Sequence, residues 1–427
     1  MGRARTALRA GGALTLAAGL ALLPTGAGAS SVPGAGGCPV LPSDNVWHAD
    51  VSGLPVNAHS GAWMGNMNGA SARLHPDFGP SGEAMPYGIP YTVVAGSHGK
   101  VRPTFDYADE SDPGPYPFGP ETPIEGGQQA SGDRHALMVD KDACVLYELY
   151  DANWNNGQPT AGSGAVFDLR GDNLRPATWT SADAAGLPIL PGLLRLDEVR
   201  AGHVDHAIRF TAQRTDRSYL WPARHQAGAA SDPNLPPMGA RFRLKSSFDI
   251  SRYRADTQVI LRAFKTYGML LADNGSNWYF QGTAEDGWDN GLLDELKSVP
   301  ASAFEAVDES SLMADPNSAR VKGAPATSPG AGGSTATTSR TRATPTPRVA
   351  GTATTALQQP ATTVAPTPTT AESTTTTSAQ GSTEVAAGSR PASRSGHPTH
   401  AALLGLAVLL AGTVGTSAAF LARRRRE

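Results

Sequence analysis

Apolar and polar residues alternate along His206–Ala212 (HAIRFTA) and Arg241–Lys245 (RFRLK), the period of two that marks half-buried strands. Ala136–Val139 and Val145–Tyr150 are β-rich runs, and Asp140-Lys141-Asp142 between them predicts a hairpin. Along the second run, Tyr147, Leu149 and Asp151 share one face, and Glu148 and Tyr150 share the other. Ser218–Trp221 and Asn277–Gln281 add two aromatic strand candidates. The period lengthens at Asp256–Tyr267. There Val259, Ile260, Ala263, Phe264 and Tyr267 fall on one helical face, and Gly268 ends the element. Gly291–Val299 predicts a second, shorter helix. From Pro80 to Gly132, Pro and Gly interrupt every pattern and predict a loop-dominated half. The expected fold is therefore mainly β: a β-sandwich or jelly-roll-like core with a few short helices.

The two ends read differently. Arg3, Arg5 and Arg9, the apolar stretch Ala10–Leu23 and the small residues Ala27-Gly28-Ala29 form the pattern of a cleaved signal peptide over 1–29. Near the other end, the uncharged run Ala401–Ala422 is long enough to cross a bilayer as a helix at ~1.5 Å per residue. Arg423–Arg426 follow it directly, which puts the 423–427 tail in the cytoplasm and everything before the helix outside. Residues 314–400 are built from Thr, Pro, Ala, Ser and Gly and contain no Trp, Tyr, Phe or Cys. Such a segment buries too little apolar surface to offset its ordering entropy, so it reads as a disordered stalk of the O-glycosylated kind. The expected protein is a single-pass cell-membrane protein with an extracellular N-terminal domain.

All 7 Trp and all 10 Tyr fall within 38–313, the expected globular domain. A net charge of −3 and the lack of a basic stripe with interleaved aromatics exclude nucleic acid as an expected partner. The only 2 cysteines, Cys38 and Cys144, predict one disulfide outside the cell. The closed loop of about 106 residues is worth roughly 4–5 kcal/mol in the chain-entropy model.

No Gly-x-Ser-x-Gly elbow, His-Glu-x-x-His helix or phosphate-binding glycine loop is present. Candidate chemistry rests instead on clusters. The richest is Asp106–Glu125 (DYADESDPGPYPFGPETPIE), with Glu110, Asp112 and Glu125 beside Tyr116. Paired carboxyl groups supply the acid and the base or nucleophile for glycoside cleavage, and aromatic rings supply faces for pyranose stacking. The same acidic loop also fits a calcium site. His135, flanked by Asp133 and Arg134, is a candidate base or orienter, and Glu148 beside Tyr150 is a candidate strand-borne acid. Trp154, Trp221 and Trp278 are candidate substrate platforms, with Asp273 close to the last in a turn. His135, His206 and His225 form a weaker candidate nitrogen-ligand set. Thr180 and Ser181 ahead of Asp183 read as a capping pattern rather than as a nucleophile.

The strings SDPGPYP, GSGAVFDL, TSADAAGLPILPGL, HAIRFT, WPARH and YGMLLADNGSNW resemble an uncharacterised bacterial secreted domain family. That resemblance implies a folded extracellular module and transfers no site. The signal, stalk, helix and Arg tail resemble actinobacterial cell-surface anchored proteins. A Leu-Pro-x-Thr-Gly-like sorting motif is missing from Ser389–His400, which favours membrane retention over wall attachment. The functional expectation is a surface-anchored glycoside hydrolase or lyase on polysaccharide or cell-wall glycan. The alternative is a non-catalytic carbohydrate-binding or adhesive module.

Overall fold

The computed structural model of the protein describes Gly2 and residues 31–81 and 85–323. The expected signal peptide, most of the stalk, the 401–422 helix and the 423–427 tail lie outside the described residues. Among the described residues, no helix is long and apolar enough to cross a membrane.

In chain order the strands are β1 (His75–Asp77), β2 (Tyr91–Val94), β3 (Thr104–Phe105), β4 (Ala136–Asp140), β5 (Val145–Tyr150) and β6 (Thr160–Ala161). They continue with β7 (Ser163–Asp168), β8 (Ile208–Ala212), β9 (Arg241–Leu244), β10 (Met269–Asn274), β11 (Tyr279–Gln281) and β12 (Phe304–Val307). The α-helices are α1 (Ser60–Asn66), α2 (Leu196–Ala201), α3 (Ala255–Thr266) and α4 (Asn290–Leu296). The domain is thus sheet-rich with few helices, as expected.

A 6-stranded sheet runs β1-β11-β8-β10-β9-β12, a 4-stranded sheet runs β2-β4-β5-β7, and β3 pairs with β6. Pairing is mixed. β1–β11, β8–β10, β2–β4 and β3–β6 are parallel, while the hairpin β4–β5 and its neighbour β7 are antiparallel. A jelly roll pairs its strands antiparallel, so the connectivity departs from that pattern. The physical reason lies in the connections: long segments, one of them carrying α3, bring strands back in the same sense, which a tight turn cannot do.

The expected helix over 256–267 is α3, which buries Val259, Ile260, Ala263 and Phe264. Its stop is steric as well as conformational. Gly268 has φ +70°, and a Cβ there would lie 2.5 Å from the carbonyl oxygen of Phe242. The shorter helix is α4, with Asp289 capping the amide of Leu292. Ser218–Trp221 forms no strand and contributes only a bridge between Tyr219 and Met238.

β4 is buried along its whole length, because the 4-stranded sheet is covered on both faces. Leu137, Val139 and Leu146 point into the main core, together with Phe210, Phe242, Phe264 and Trp278 of the other sheet and its helix. Ala136, Met138, Tyr147 and Leu149 point into a smaller core with Tyr116, Phe118 and Ile124. A strand buried on both faces reads as a continuous apolar run, which is what the sequence shows there.

Cys38 and Cys144 form the expected disulfide, separated by 106 residues. The folded chain also passes the expected domain boundary at residue 313. Ala319 is buried, the amide of Ala319 bonds Asp172, and Arg320 pairs with Asp44 at 2.7 Å. The segment lacks aromatic residues, so composition grouped it with the stalk, yet its backbone bonds tie it to the domain.

Candidate functional site

The site is built where side chains of both large sheets meet the loop 178–187. His135 precedes β4 and Tyr150 ends β5, with their rings 6.0 Å apart. Both places are conformationally marked: Arg134 and Asp151 hold φ of +49° and +48°, and the nearby Thr178 holds +72°. Non-glycine residues at positive φ, a β-branched one above all, store strain of roughly 1–3 kcal/mol each and concentrate at functional sites. From the other sheet come Arg209 on β8 and Asp273 on β10. The register between these strands shifts between Leu271 and Asp273, an irregularity that re-aims the side chain following it.

Within the loop, Ser181 donates its hydroxyl to the Leu187 carbonyl (2.6 Å) and accepts the Asp183 amide (2.9 Å). It closes a turn, as the capping pattern implied, and has no base beside it. Asp183 is fully buried and receives two N–H bonds from Arg209, at 3.0 and 2.9 Å. Burial opposes the Arg209 charge, but the Asp183 carboxylate, and then Asp273, hold the guanidinium firmly protonated. The carbonyl of Ala182 accepts from His135 Nε2 at 3.2 Å, and the carbonyl of Ala184 accepts from His225 Nδ1 at 2.8 Å.

His135 has a carboxylate partner, but it is Glu125 and not the adjacent Asp133. The Nδ1–Oε2 distance is 2.7 Å. Both ring nitrogens therefore face acceptors, which suits the imidazolium. Burial lowers the His135 pKa, and the Glu125 charge and hydrogen bond more than reverse this, raising it to about 9. Burial likewise raises Glu125, and the charge and bonds of His135 overcome it, so its carboxyl sits below the usual range. His135 is thus a cation at neutral pH, which disfavours the expected base role and suits that of an orienter.

Asp273 goes the other way. Burial first, then the Asp183 and Asp133 charges, lift it to about 7, and its nearest cation, Arg209, is 3.8 Å away. Glu125 and Asp273 keep 30% and 22% of their side-chain surface open to solvent. They are densely surrounded by protein but reachable. Asp133 and Tyr107 are exposed beside them, and Tyr107 and Asp133 both act on the Tyr150 phenol, whose pKa burial raises. The result is an open polar seam. A separate hollow lined by Trp47, Phe167, Asn173 and Pro222 has about 20 Å³, room for little more than one water.

The expected residues divide sharply. Glu125 and His135 are brought together. Glu110 lies at the seam's edge, accepting from the Thr180 amide (3.0 Å), with His225 Nε2 3.7 Å away. Asp112 is taken by Arg175 and the Val166 amide, an anchor for the loop rather than a free acid. Glu148 is wholly buried, both oxygens accepting amides of Ile189 and Leu190. Burial raises it to about 7 against those bonds, but no solvent reaches it, so the expected acid is a structural carboxyl.

The expected platforms are also corrected. Trp278 is a core ring, stacked with Phe210 and bonded through its indole N–H to the Met67 carbonyl. Tyr116 is fully buried, its hydroxyl donating to the Asp112 carbonyl. Half-buried Trp154 packs on Phe118, and half-buried Trp221 donates to the Ser318 carbonyl. Among the described residues, the exposed large aromatic rings are instead Tyr87 (47%) and Tyr107 (48%).

Among the described residues, no group of three or more His, Cys, Asp or Glu is placed to hold a metal. The loop acids point to separate partners, Glu121 to His98 and Glu125 to His135, and His206 is buried against Glu198. No protein-family model matches the chain, and neither does any curated protein or solved structure.

Proposed function

We propose that the protein is a membrane-anchored extracellular enzyme that cleaves glycosidic bonds in polysaccharide or cell-wall glycan. One observation carries the reading. Two partly exposed carboxyl groups that both act on the Arg209 guanidinium are pushed in opposite directions, Glu125 held below the usual range by its 2.7 Å bond to His135 and Asp273 raised to about 7 by burial among acids. Environments that push two titratable groups apart divide acid from base. Asp273 is the general acid for the leaving oxygen, and Glu125 is the base or nucleophile. His135 positions Glu125, and the Arg209–Asp183 pair fixes the floor beneath Asp273. We read the two large sheets as facing, sandwich-like layers, since residues of both share the main core.

The single-span anchor, the stalk and the extracellular location belong to the same proposal and rest on the sequence pattern of 1–29 and 314–427. Release of reducing sugar from a panel of polysaccharides by the full chain, set against an Asp273→Asn variant, tests the enzyme. Release that vanishes in the variant supports it. Retention on a glycan with no release from any substrate would move the function to the carbohydrate-binding module.

A further inference from the structure

We infer that the seam accepts an uncharged glycan chain and rejects polyuronates, so that the reaction is hydrolysis and not β-elimination. This rests on the glycan-cleaving reading and narrows its substrate class. Two separate features of the seam point this way.

The first is the disposition of charge. The cations of the seam are spent: Arg209 turns two N–H bonds onto Asp183, and His135 turns one onto Glu125 and the other onto the Ala182 carbonyl. Glu110 and Asp133 remain at the exposed edge, and neither has a strong cationic partner; the closest to Glu110 is His225 at 3.7 Å. A uronate carboxylate would meet like charge here. Elimination also requires a cation to neutralise that carboxylate while a base removes the adjacent C5 proton, and Arg209 and His135 are both already turned onto carboxylates of the protein. Like charges at short range disfavour a ligand over a neutral competitor.

The second is the pair of exposed rings. Tyr87 lies close enough to Glu125 to feel its charge, and its hydroxyl bonds Asp77 beside the 6-stranded sheet. Tyr107 is joined to Tyr150 through Gly162, whose amide donates to the Tyr150 carbonyl and whose carbonyl accepts the Tyr107 amide. Exposed rings near Glu125 and near Tyr150 provide stacking faces for sugars of a chain.

The bond changes balance without a further reagent. The glycosidic C–O bond breaks, and Asp273 gives its proton to the departing oxygen. Water adds its oxygen to the anomeric carbon and gives a proton to Glu125, and that proton returns to Asp273 through solvent.

The test uses the full chain on neutral polymers (β-glucan, starch, xylan, mannan) and on polygalacturonate and alginate. Reducing ends and the ultraviolet-absorbing unsaturated product of elimination are both followed. The expected result is reducing ends from a neutral polymer and neither signal from the polyuronates. Tyr87→Ala and Tyr107→Ala are each expected to weaken retention by that neutral polymer roughly threefold to tenfold. Both rings are exposed, so the fold tolerates the change, which circular dichroism checks. Unsaturated product or reducing ends from a polyuronate overturn the inference and leave the glycan-cleaving reading standing. No release from any polymer overturns that reading itself. Unchanged retention in both tyrosine variants overturns the chain placement.

Discussion

Replacing Glu125 by Gln should destabilise the protein strongly near neutral pH and much less in alkali. His135 is 3% exposed and bonded to Glu125 at 2.7 Å, so solvent screens the pair little. Its rise from the ordinary 6.5 to about 9 is worth roughly 3 kcal/mol, at ~1.4 kcal/mol per pK unit. The sign follows from proton binding. The folded state holds the imidazole proton more tightly than the unfolded chain, so this stability is complete below pH 6.5 and is lost as pH rises through about 9. Glu125 bounds the window from below, since its lowered pKa gives stability that is present above its ordinary 4.5 and lost in acid. With glutamine at 125, the imidazolium is left without its anion, and the loss at about pH 6 should reach roughly 3–5 kcal/mol. At about pH 10 both proteins carry neutral His135, and the gap should shrink to about 1 kcal/mol, the worth of one hydrogen bond. Urea denaturation of both proteins at the two pH values measures this. The raised acids Glu148, Asp273 and Glu309 are common to both chains and cancel. A destabilisation equal at both pH values, or larger in alkali, would refute the ionic pair.

Three other outcomes are expected. Asp273→Asn should lower turnover by about 10²–10⁴-fold and remove the alkaline limb of the pH–rate profile near 7, read by reducing-sugar release. Arg209→Met should cost about 3–5 kcal/mol by leaving Asp183 buried without its partner, measured by urea midpoint. Trp278→Ala should cost about 3–5 kcal/mol through the cavity it opens, and glycan retention at a temperature where the variant remains folded should be unchanged, since the ring faces the core.

The sequence made some of this legible and hid the rest for identifiable reasons. α3 and the β4–β5 hairpin were readable because their period is local and their burial one-sided or complete. The alternation along β5 put Glu148 and Tyr150 on one face, which holds. What alternation cannot say is whether a face opens to solvent, and here Glu148 met two backbone amides instead. Arg209 and Asp183 were passed over because their meaning lies in each other, 26 residues apart, in a contact no spacing encodes. A signal was nonetheless present: an arginine between Ile208 and Phe210 in a strand rich in apolar residues must find a buried anion. Trp278 misled because aromatic richness marks cores as readily as platforms. The mixed pairing of the sheets was hidden because parallel strands are joined by long segments whose return direction leaves no trace in composition.

The seam also explains why so many buried charges are tolerated in one place. Taking Asp183, Arg209, Glu125 and His135 out of water costs several kcal/mol per ion, which a well-packed apolar replacement would avoid. Positive φ at Arg134, Asp151 and Thr178 adds to that cost. These charges are additional to the main core, which gathers Phe210, Phe242, Phe264 and Trp278. The desolvation that makes the ion pairs expensive is what lifts Asp273 towards neutrality while the His135 contact keeps Glu125 ionised. Separating the two carboxyl states therefore requires burial, and burial requires each remaining charge to be matched. Arg209–Asp183 and Glu125–His135 supply that match, and the disulfide, worth roughly 4–5 kcal/mol in the chain-entropy model, offsets part of the cost. Removing the disulfide should therefore lower global stability without moving the Asp273 limb of the pH–rate profile. A shift of that limb in a folded Cys38→Ser/Cys144→Ser protein would show that the seam depends on the far end of the β4–β5 hairpin as well as on its own ion pairs.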